Sequence, residues 1–238
     1  MAVKVLSSVV KTLSLLEVIA EHDDPIRLAD LSHKLGEGRG TIYQRLMTLV
    51  EVGWLEQPEP GTYRLSLQLA TIGQAALEQA SFGERTTAVL RELALDTEET
   101  ASLAVLSGIQ AQIIKRVESH VVVRAEVRVG TLLSLSDSSS GRVLTAFADA
   151  DYRGLLKQKG ARLASEKLLK EVRDRGYAVS SGKDVAGVRS VAVPLFDKKG
   201  NCAAALSVVT PEARFDSDRL IAPLLQASRK LKNATVLY

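Results

Sequence analysis

Residues 38–50, Gly38-Arg39-Gly40-Thr41-Ile42-Tyr43-Gln44-Arg45-Leu46-Met47-Thr48-Leu49-Val50, decide the architecture of the amino-terminal part. Ile42, Leu46, Leu49 and Val50 fall three and four residues apart, the spacing of one face of an α-helix. Arg39, Thr41, Tyr43, Gln44 and Arg45 are left to look outward, with Gly40 beside them in the first turn. The stretch holds two arginines and no acid. Upstream, Leu28, Leu31 and Leu35 mark a second helix closed by Gly36. Val5, Leu6, Val9, Val10, Leu13, Leu16 and Ile19 mark a longer one, stopped at His22-Asp23-Asp24-Pro25 because proline disfavours helical geometry in the residue before it. Two short helices joined by a tight glycine-containing turn predict a helix-turn-helix, whose second helix enters the major groove of double-stranded DNA. The outward residues suit that role, since arginine reaches guanine edges or phosphates, glutamine pairs adenine, and threonine and tyrosine hydroxyls hold phosphate oxygens. Trp54-Leu55-Glu56-Gln57 and Thr62-Tyr63-Arg64-Leu65 flank Pro58-Glu59-Pro60-Gly61, which predicts a β-hairpin wing with Arg64 placed to touch the DNA backbone. A three-helix unit with a hairpin also serves to hold a protein partner, so a ligand-sensing adaptor is the alternative.

Bulk composition adds little to that choice. The formal net charge of +3 is unevenly spread: residues 1–80 carry 7 Lys/Arg against 10 Asp/Glu, and residues 81–238 carry 24 against 18. A bulk-charge argument would therefore place nucleic acid on the wrong half, and local placement is what counts. At 238 residues the chain has room for two domains. No apolar run is long enough to span a bilayer and no secretory leader is evident, so no membrane association is expected. One cysteine, Cys202, fits a reducing cytoplasm.

Residues 67–77 read as a linker helix with an apolar stripe, ending at Ser81-Phe82-Gly83. The expected domains are thus 1–66 (winged helix-turn-helix), 67–83 (linker) and 84–238. In the last, a helix at 84–95 precedes β-branched runs at 101–106, 113–117 and 121–127. The hydroxyl-rich loop 134–140 feeds a helix at 141–147. Ser165 caps a helix at 166–175 that Gly176 ends. Strands follow at 177–179, 190–196 and 203–209, and Asp216 caps a final helix that turns Leu220, Ile221, Leu224, Leu225 and Leu231 inward. Helices on a largely antiparallel sheet make an α+β domain.

In order and spacing these segments resemble the IclR, or isocitrate-lyase-regulator, family of bacterial transcription factors. In the first half the resemblance rests on Leu28-Ala29-Asp30-Leu31, Gly36, Thr41, Leu46, Thr48-Leu49, Gly53-Trp54-Leu55 and Tyr63-Arg64-Leu65. In the second it rests on Arg128-Val129-Gly130-Thr131-Leu132-Leu133, Gly141, Arg175-Gly176-Tyr177-Ala178, Gly187-Val188-Arg189-Ser190-Val191-Ala192-Val193-Pro194-Leu195-Phe196-Asp197 and Ala203-Ala204-Ala205-Leu206-Ser207-Val208. The chain departs from the pattern at Glu37-Gly38, where an apolar residue and proline are usual, and at Gln44, where arginine is common. The resemblance implies dimers or tetramers joined partly through the first helix and the linker. A two-fold dimer would set its recognition helices ~34–36 Å apart, or a multiple, on a near-palindromic operator.

It also implies that the C-terminal domain is a GAF-like sensor for a small-molecule effector. Carried over by position, the pocket comprises Leu133, Ser138, Ser139, Ser140, Gly141, Ser180, Ser190 and Ser207, walled by Leu144 and Val209. A helix starting near Ser139 aims free N–H groups at such a pocket, which favours the carboxylate of a small organic or aromatic acid. Asp137 leaves two readings open: it caps that helix and takes the N–H groups itself, or it repels an anion. Ser134 and Ser136 stand where the family usually has proline and histidine.

Catalysis is not expected. Gly36-Glu37-Gly38-Arg39-Gly40 follows a helix rather than a strand, and Gly176…Gly182-Lys183 misses the phosphate-loop spacing and its Ser/Thr. The serine cluster has no Gly-x-Ser-x-Gly elbow, and His120 is the only histidine in that half. The scattered histidines and single cysteine have no metal-ligand spacing, and no cofactor is implied.

Overall fold

The structure, a computed structural model, describes residues 5–121, 125, 127–180, 182–183 and 185–232. The chain divides into two units, Met1–Ala76 and Leu77–Tyr238. The expected strand at 121–127 falls largely outside the described residues.

In the first unit α1 (Ser7–Ala20), α2 (Leu28–Leu35) and α3 (Arg39–Glu51) converge on Leu15, Ile19, Leu31, Ile42, Leu46 and Leu49, all buried. Strands β2 (Leu55–Glu56) and β3 (Thr62–Leu65) form the hairpin, and β1 (Ile26–Arg27) pairs with the other edge of β3. Tyr63 of β3, opposite Ile26, completes the core. The exit of α3 is fixed by its backbone. Gly53 has φ +79° and donates to Val50 O at 3.0 Å, while Trp54 N donates to Leu49 O at 2.8 Å. That left-handed turn suits glycine, and it delivers the chain into β2. Ser66, just past β3, donates through its hydroxyl to Gly53 O at 2.6 Å and through its N–H to Trp54 O at 3.1 Å. The wing is therefore tied to the end of α3. The linker helix α4 (Gln68–Gln79) buries none of its side chains.

Among the described residues the second unit is built on a six-stranded antiparallel sheet, in the order β6-β5-β4-β9-β8-β7. The strands are β4 (Thr100–Ser107), β5 (Gln110–Val117), β6 (Leu132–Leu133), β7 (Ala178–Val179), β8 (Val188–Phe196) and β9 (Cys202–Pro211). Alternation along the strands gives the sheet two buried faces. Leu103, Val191, Val193, Leu206 and Val208 pack under α5 (Glu84–Thr97) and α9 (Ser217–Lys232). Ala104, Ile113, Ala192, Ala205 and Val209 face α6 (Ser139–Ala146) and α8 (Glu166–Arg175). Between these two helices runs α7 (Ala150–Gln158), which the apolar spacing does not predict.

The predicted caps are in place: Ser165 Oγ accepts Leu168 N–H, Gly176 ends α8, and Asp216 Oδ1 accepts the N–H of Asp218 and Arg219. A buried ion cluster fastens β4 to the segment before α9. Glu99, its side chain 1 % exposed, takes a two-pronged bond from Arg214 (2.6 and 2.9 Å) and a third from Arg219 (3.3 Å). No helix among the described residues is long and apolar enough to cross a membrane.

Candidate functional site

In the first unit the candidate surface is the open side of α3. Burying Ile42, Leu46 and Leu49 turns Arg39, Gly40, Thr41, Tyr43 and Gln44 outward, and Tyr43 is 48 % exposed. Arg39 makes no ion pair among the described residues. Arg45 is placed differently, with its guanidinium donating to Glu37 Oε1 at 3.0 Å and its side chain 16 % exposed. Glu37 also takes Lys11 Nζ at 3.2 Å. The hydrogen bond from Arg45, helped by Lys11, holds the Glu37 carboxyl below its ordinary pKa despite partial desolvation. The departure from the family pattern at Glu37 thus has a local role, as the acid that locks the turn between α2 and α3. Arg64 stands opposite Glu56 across the hairpin and bonds it at 2.8–2.9 Å on an exposed face.

In the second unit a cavity lies between the sheet and the amino end of α6, holding about 410 Å³ of empty space with its mouth included. Of the positions expected from the sequence, Leu133, Ser138, Ser140, Ser180, Ser190, Ser207 and Val209 line it. Ser139, Gly141 and Leu144 do not. Ser139 bonds Ser190 Oγ at 2.7 Å. Leu144 is buried in the core beneath α6. Gly141 is pressed against the turn before the helix, where an added Cβ would sit 2.3 Å from Ser134 O and 2.6 Å from Leu135 Cα. Sequence reasoning missed Ser102, Ile113, Val127, Gly182, Val185 and Val188, which complete the lining. Ser102 had a signal: it breaks the apolar run of β4, and the register sets it opposite Ser207, hydroxyl to hydroxyl at 2.8 Å.

Among the described residues the lining is hydroxyl and aliphatic, without a cation or an aromatic ring. The first turn of α6 explains how an anion could be held. Ser138 caps it, accepting Gly141 N–H at 2.9 Å and donating to Ser134 O at 2.7 Å. Asp137 is therefore not the cap; its Oδ2 takes the hydroxyls of Ser136 (2.7 Å) and Ser134 (3.3 Å). The N–H groups of Ser139 and Ser140 find no acceptor among the described residues. Arg142, in the next turn, bonds Ser136 O at 2.7 Å and Val179 O at 2.6 Å. Burial lowers its pKa, Asp137 works the other way, and Arg189 adds to the lowering. Arg142 thus holds the loop before α6 against the end of β7.

Both units match known families. Residues 8–59 match the IclR helix-turn-helix domain, and residues 74–233 match the bacterial transcriptional regulator IclR C-terminal domain. The HTH-type transcriptional regulator XynR of Escherichia coli is 30% identical over 228 residues, covering 91% of this chain and 90% of that protein. The crystal structure of an IclR-type regulator from Alicyclobacillus acidocaldarius superposes with a TM-score of 0.85 at 24% identity, over 98% of this chain and 100% of that one. A homologue from Microbacterium hydrocarbonoxydans, crystallised with 4-hydroxybenzoate, gives a TM-score of 0.79 at 22% identity, over 96% and 98% of the two chains.

Proposed function

The chain belongs to the IclR family of bacterial transcriptional regulators, and on that premise we propose that the hydroxyl-lined cavity beside α6 is the site through which a small organic acid controls its binding to DNA. It is a helix-turn-helix DNA-binding regulator and not an enzyme. The matched helix-turn-helix domain decides for DNA over a protein-holding adaptor.

The observation that carries the ligand class is the pair of N–H groups of Ser139 and Ser140, which find no acceptor among the described residues, at the start of a helix whose Ser138 and Ser140 line the cavity. A helix start concentrates partial positive charge, and a carboxylate there gains charge-assisted hydrogen bonds without a cationic side chain. The Ser102–Ser207 pair at the opposite wall keeps one hydroxyl proton to offer to a second polar group of the ligand. The relative crystallised with 4-hydroxybenzoate supports an acid as ligand, and the aliphatic lining here favours a small one.

On DNA, Arg39, Gly40, Thr41, Tyr43 and Gln44 form the groove-facing set, with Arg64 on the wing and Arg45 acting through Glu37. The working form is a dimer. Val9 and Leu13 of α1 are about half exposed, and with Leu49, Val52 and Trp54 they edge an apolar groove that a second copy would cover. The operator is accordingly near-palindromic, and the site of action is the cytoplasm. The effector acts by preferring one arrangement of the dimer, so the strength of regulation equals its difference in affinity between arrangements.

Thermal-shift measurement of the full chain against small aliphatic and aromatic carboxylates tests the reading, because a ligand of the folded state raises its melting point. A shift that Ser207→Leu abolishes is the expected result. A full set without any shift at millimolar concentration overturns the ligand class. Salt-dependent retardation of the DNA upstream of its own gene tests the DNA half.

A further inference from the structure

The strand that carries one wall of the cavity also holds the exit of the linker helix. On β5, Ile113 stands opposite Ala104 and Lys115 stands opposite Leu103, with Ile114 the extra residue of a β-bulge. In a regular strand residues 113 and 115 would share a face. The bulge separates them: Ile113 lines the cavity, and Lys115 emerges on the opposite face, beneath α5. There the Lys115 ammonium donates to Phe82 O at 2.9 Å, Gly83 O at 2.9 Å and Thr87 Oγ1 at 2.7 Å. Three donors meet three acceptors.

Two of those acceptors, Phe82 O and Gly83 O, sit just past the end of α4, and the third is in α5. Ser81 adopts φ +57° and donates to Glu78 O at 2.9 Å, while Phe82 donates to Leu77 O at 2.7 Å. This is the same closing motif that ends α3, here with serine in the left-handed position. Phe82, 3 % exposed, is anchored in the core under α5. Burial holds the Lys115 pKa below that of an ordinary lysine, against the pull of Glu84 and Glu78 on either side. Ile113 is pinned as well. Its N–H donates to Thr131 O at 3.0 Å and its carbonyl accepts Gly130 N–H at 2.7 Å, in the segment that leads to Leu133, another lining residue.

We propose that Lys115 is the positioning residue through which filling of the cavity displaces the exit of α4: a group pressing on Ile113 shifts the bulge, and the ammonium carries the shift to the carbonyls of Phe82 and Gly83. The coupling rests on reading the cavity as the effector site, but it is testable without an effector. Hydrogen exchange of the Ser81 and Phe82 amides in the full chain reports on the closing motif. The cavity is altered by Ile113→Val, and separately by Ser207→Val. Each change is made with Lys115 present and with Lys115→Met, which closes a double-mutant cycle.

With Lys115, either cavity change is expected to alter protection of the two amides by about threefold or more. With Lys115→Met, the same changes are expected to alter it by less than about 1.5-fold. Lys115→Arg, which keeps a cationic donor, is expected to retain the coupling. Thr87→Val removes one acceptor without touching the lysine, and serves if Lys115→Met does not fold. A merely structural tether would lower protection in Lys115→Met yet leave the cavity effect the same in both backgrounds. That additive result overturns the proposal. A non-additive cycle in a protein that answers no carboxylate would instead leave the coupling standing and remove the ligand class.

Discussion

Gly141→Ala is expected to destabilise the second unit by about 2–4 kcal/mol, although the same change in an open helical position stabilises. Gly141 is the third residue of α6, and its N–H is the one Ser138 caps. A Cβ there would lie 2.3 Å from Ser134 O, 2.6 Å from Leu135 Cα and 2.9 Å from Ser138 Oγ. The first two are backbone atoms and cannot swing aside, so the start of α6 must back away by roughly an ångström. That movement breaks the 2.7 Å bond from Ser138 Oγ to Ser134 O and loosens the cap. Overpacking costs about 1–3 kcal/mol and a lost cap about 1 more, against about 1 kcal/mol gained in helix propensity. Bonds lost around the displaced turn carry the net into the range given. At about 2–4 °C per kcal/mol for a unit of this size, calorimetry should show the transition of the second unit fall by roughly 4–16 °C. Gly154→Ala in α7, where an added Cβ meets nothing within 4 Å, is the matched control. It is expected to raise stability by about 0.5–1 kcal/mol. Equal or higher stability for Gly141→Ala would refute the close-approach argument, and with it the account of why that position needs glycine.

Three further outcomes are expected. Burial pushes the Cys202 thiol from 9.0 up to about 12, so at pH 8 native protein should react with a thiol reagent about a thousandfold more slowly than unfolded chain. The folded thiol's pKa lies above the unfolded one, so its contribution to stability is complete below about pH 9 and is lost as pH rises toward 12; the same pH dependence of melting in wild type and Cys202→Ala across this window would contradict it. Glu99→Gln removes the buried charge between Arg214 and Arg219; because both arginines are partly in water, we expect a loss of about 2–3 kcal/mol in denaturant titration, below the cost of breaking a fully enclosed pair. Arg39→Ala should weaken operator binding and reduce the slope of log affinity against log salt by about 0.9, and an unchanged affinity at fixed salt would remove α3 from the groove.

The parts of the fold legible in the sequence were those with local signals. Ser165 and Gly176 bracket α8 because a cap and a left-handed stop act on their own neighbours, and Asp216 does the same for α9. The two-residue strands β1 and β6 are too short to show a period, and they exist only because β3 and β5 offer edges. Helix α7 buries Leu156 as its single core residue, so its apolar spacing is faint. Half of the cavity was within reach through the family resemblance, which carries Leu133, Ser138, Ser140, Ser180, Ser190, Ser207 and Val209 over by position. The remainder was set by register: Ser102 lies 105 residues from Ser207 and meets it only through the β4–β9 pairing. Likewise one extra residue at Ile114 sets Lys115 on the face opposite Ile113, which no local signal in the sequence marks. Arg45 reads as an outward residue from helical spacing alone; its partner Glu37 is eight positions away across the turn.

The hydroxyls at the middle of the sheet bear on how this protein would respond to selection for heat resistance. Ser102 and Ser207 occupy the two central strands, where neighbours such as Ala104 and Ala205 are fully buried. They satisfy each other at 2.8 Å, so replacing both with apolar residues of similar shape removes two polar groups and leaves none orphaned, a change that is neutral or stabilising. Laboratory evolution toward thermostability alone should therefore accumulate alanine or valine at these two positions and yield regulators that melt later and no longer hear their signal. Counting such variants among survivors, with and without a simultaneous demand for inducibility, would measure how much heat tolerance the protein forgoes to keep these two hydroxyls.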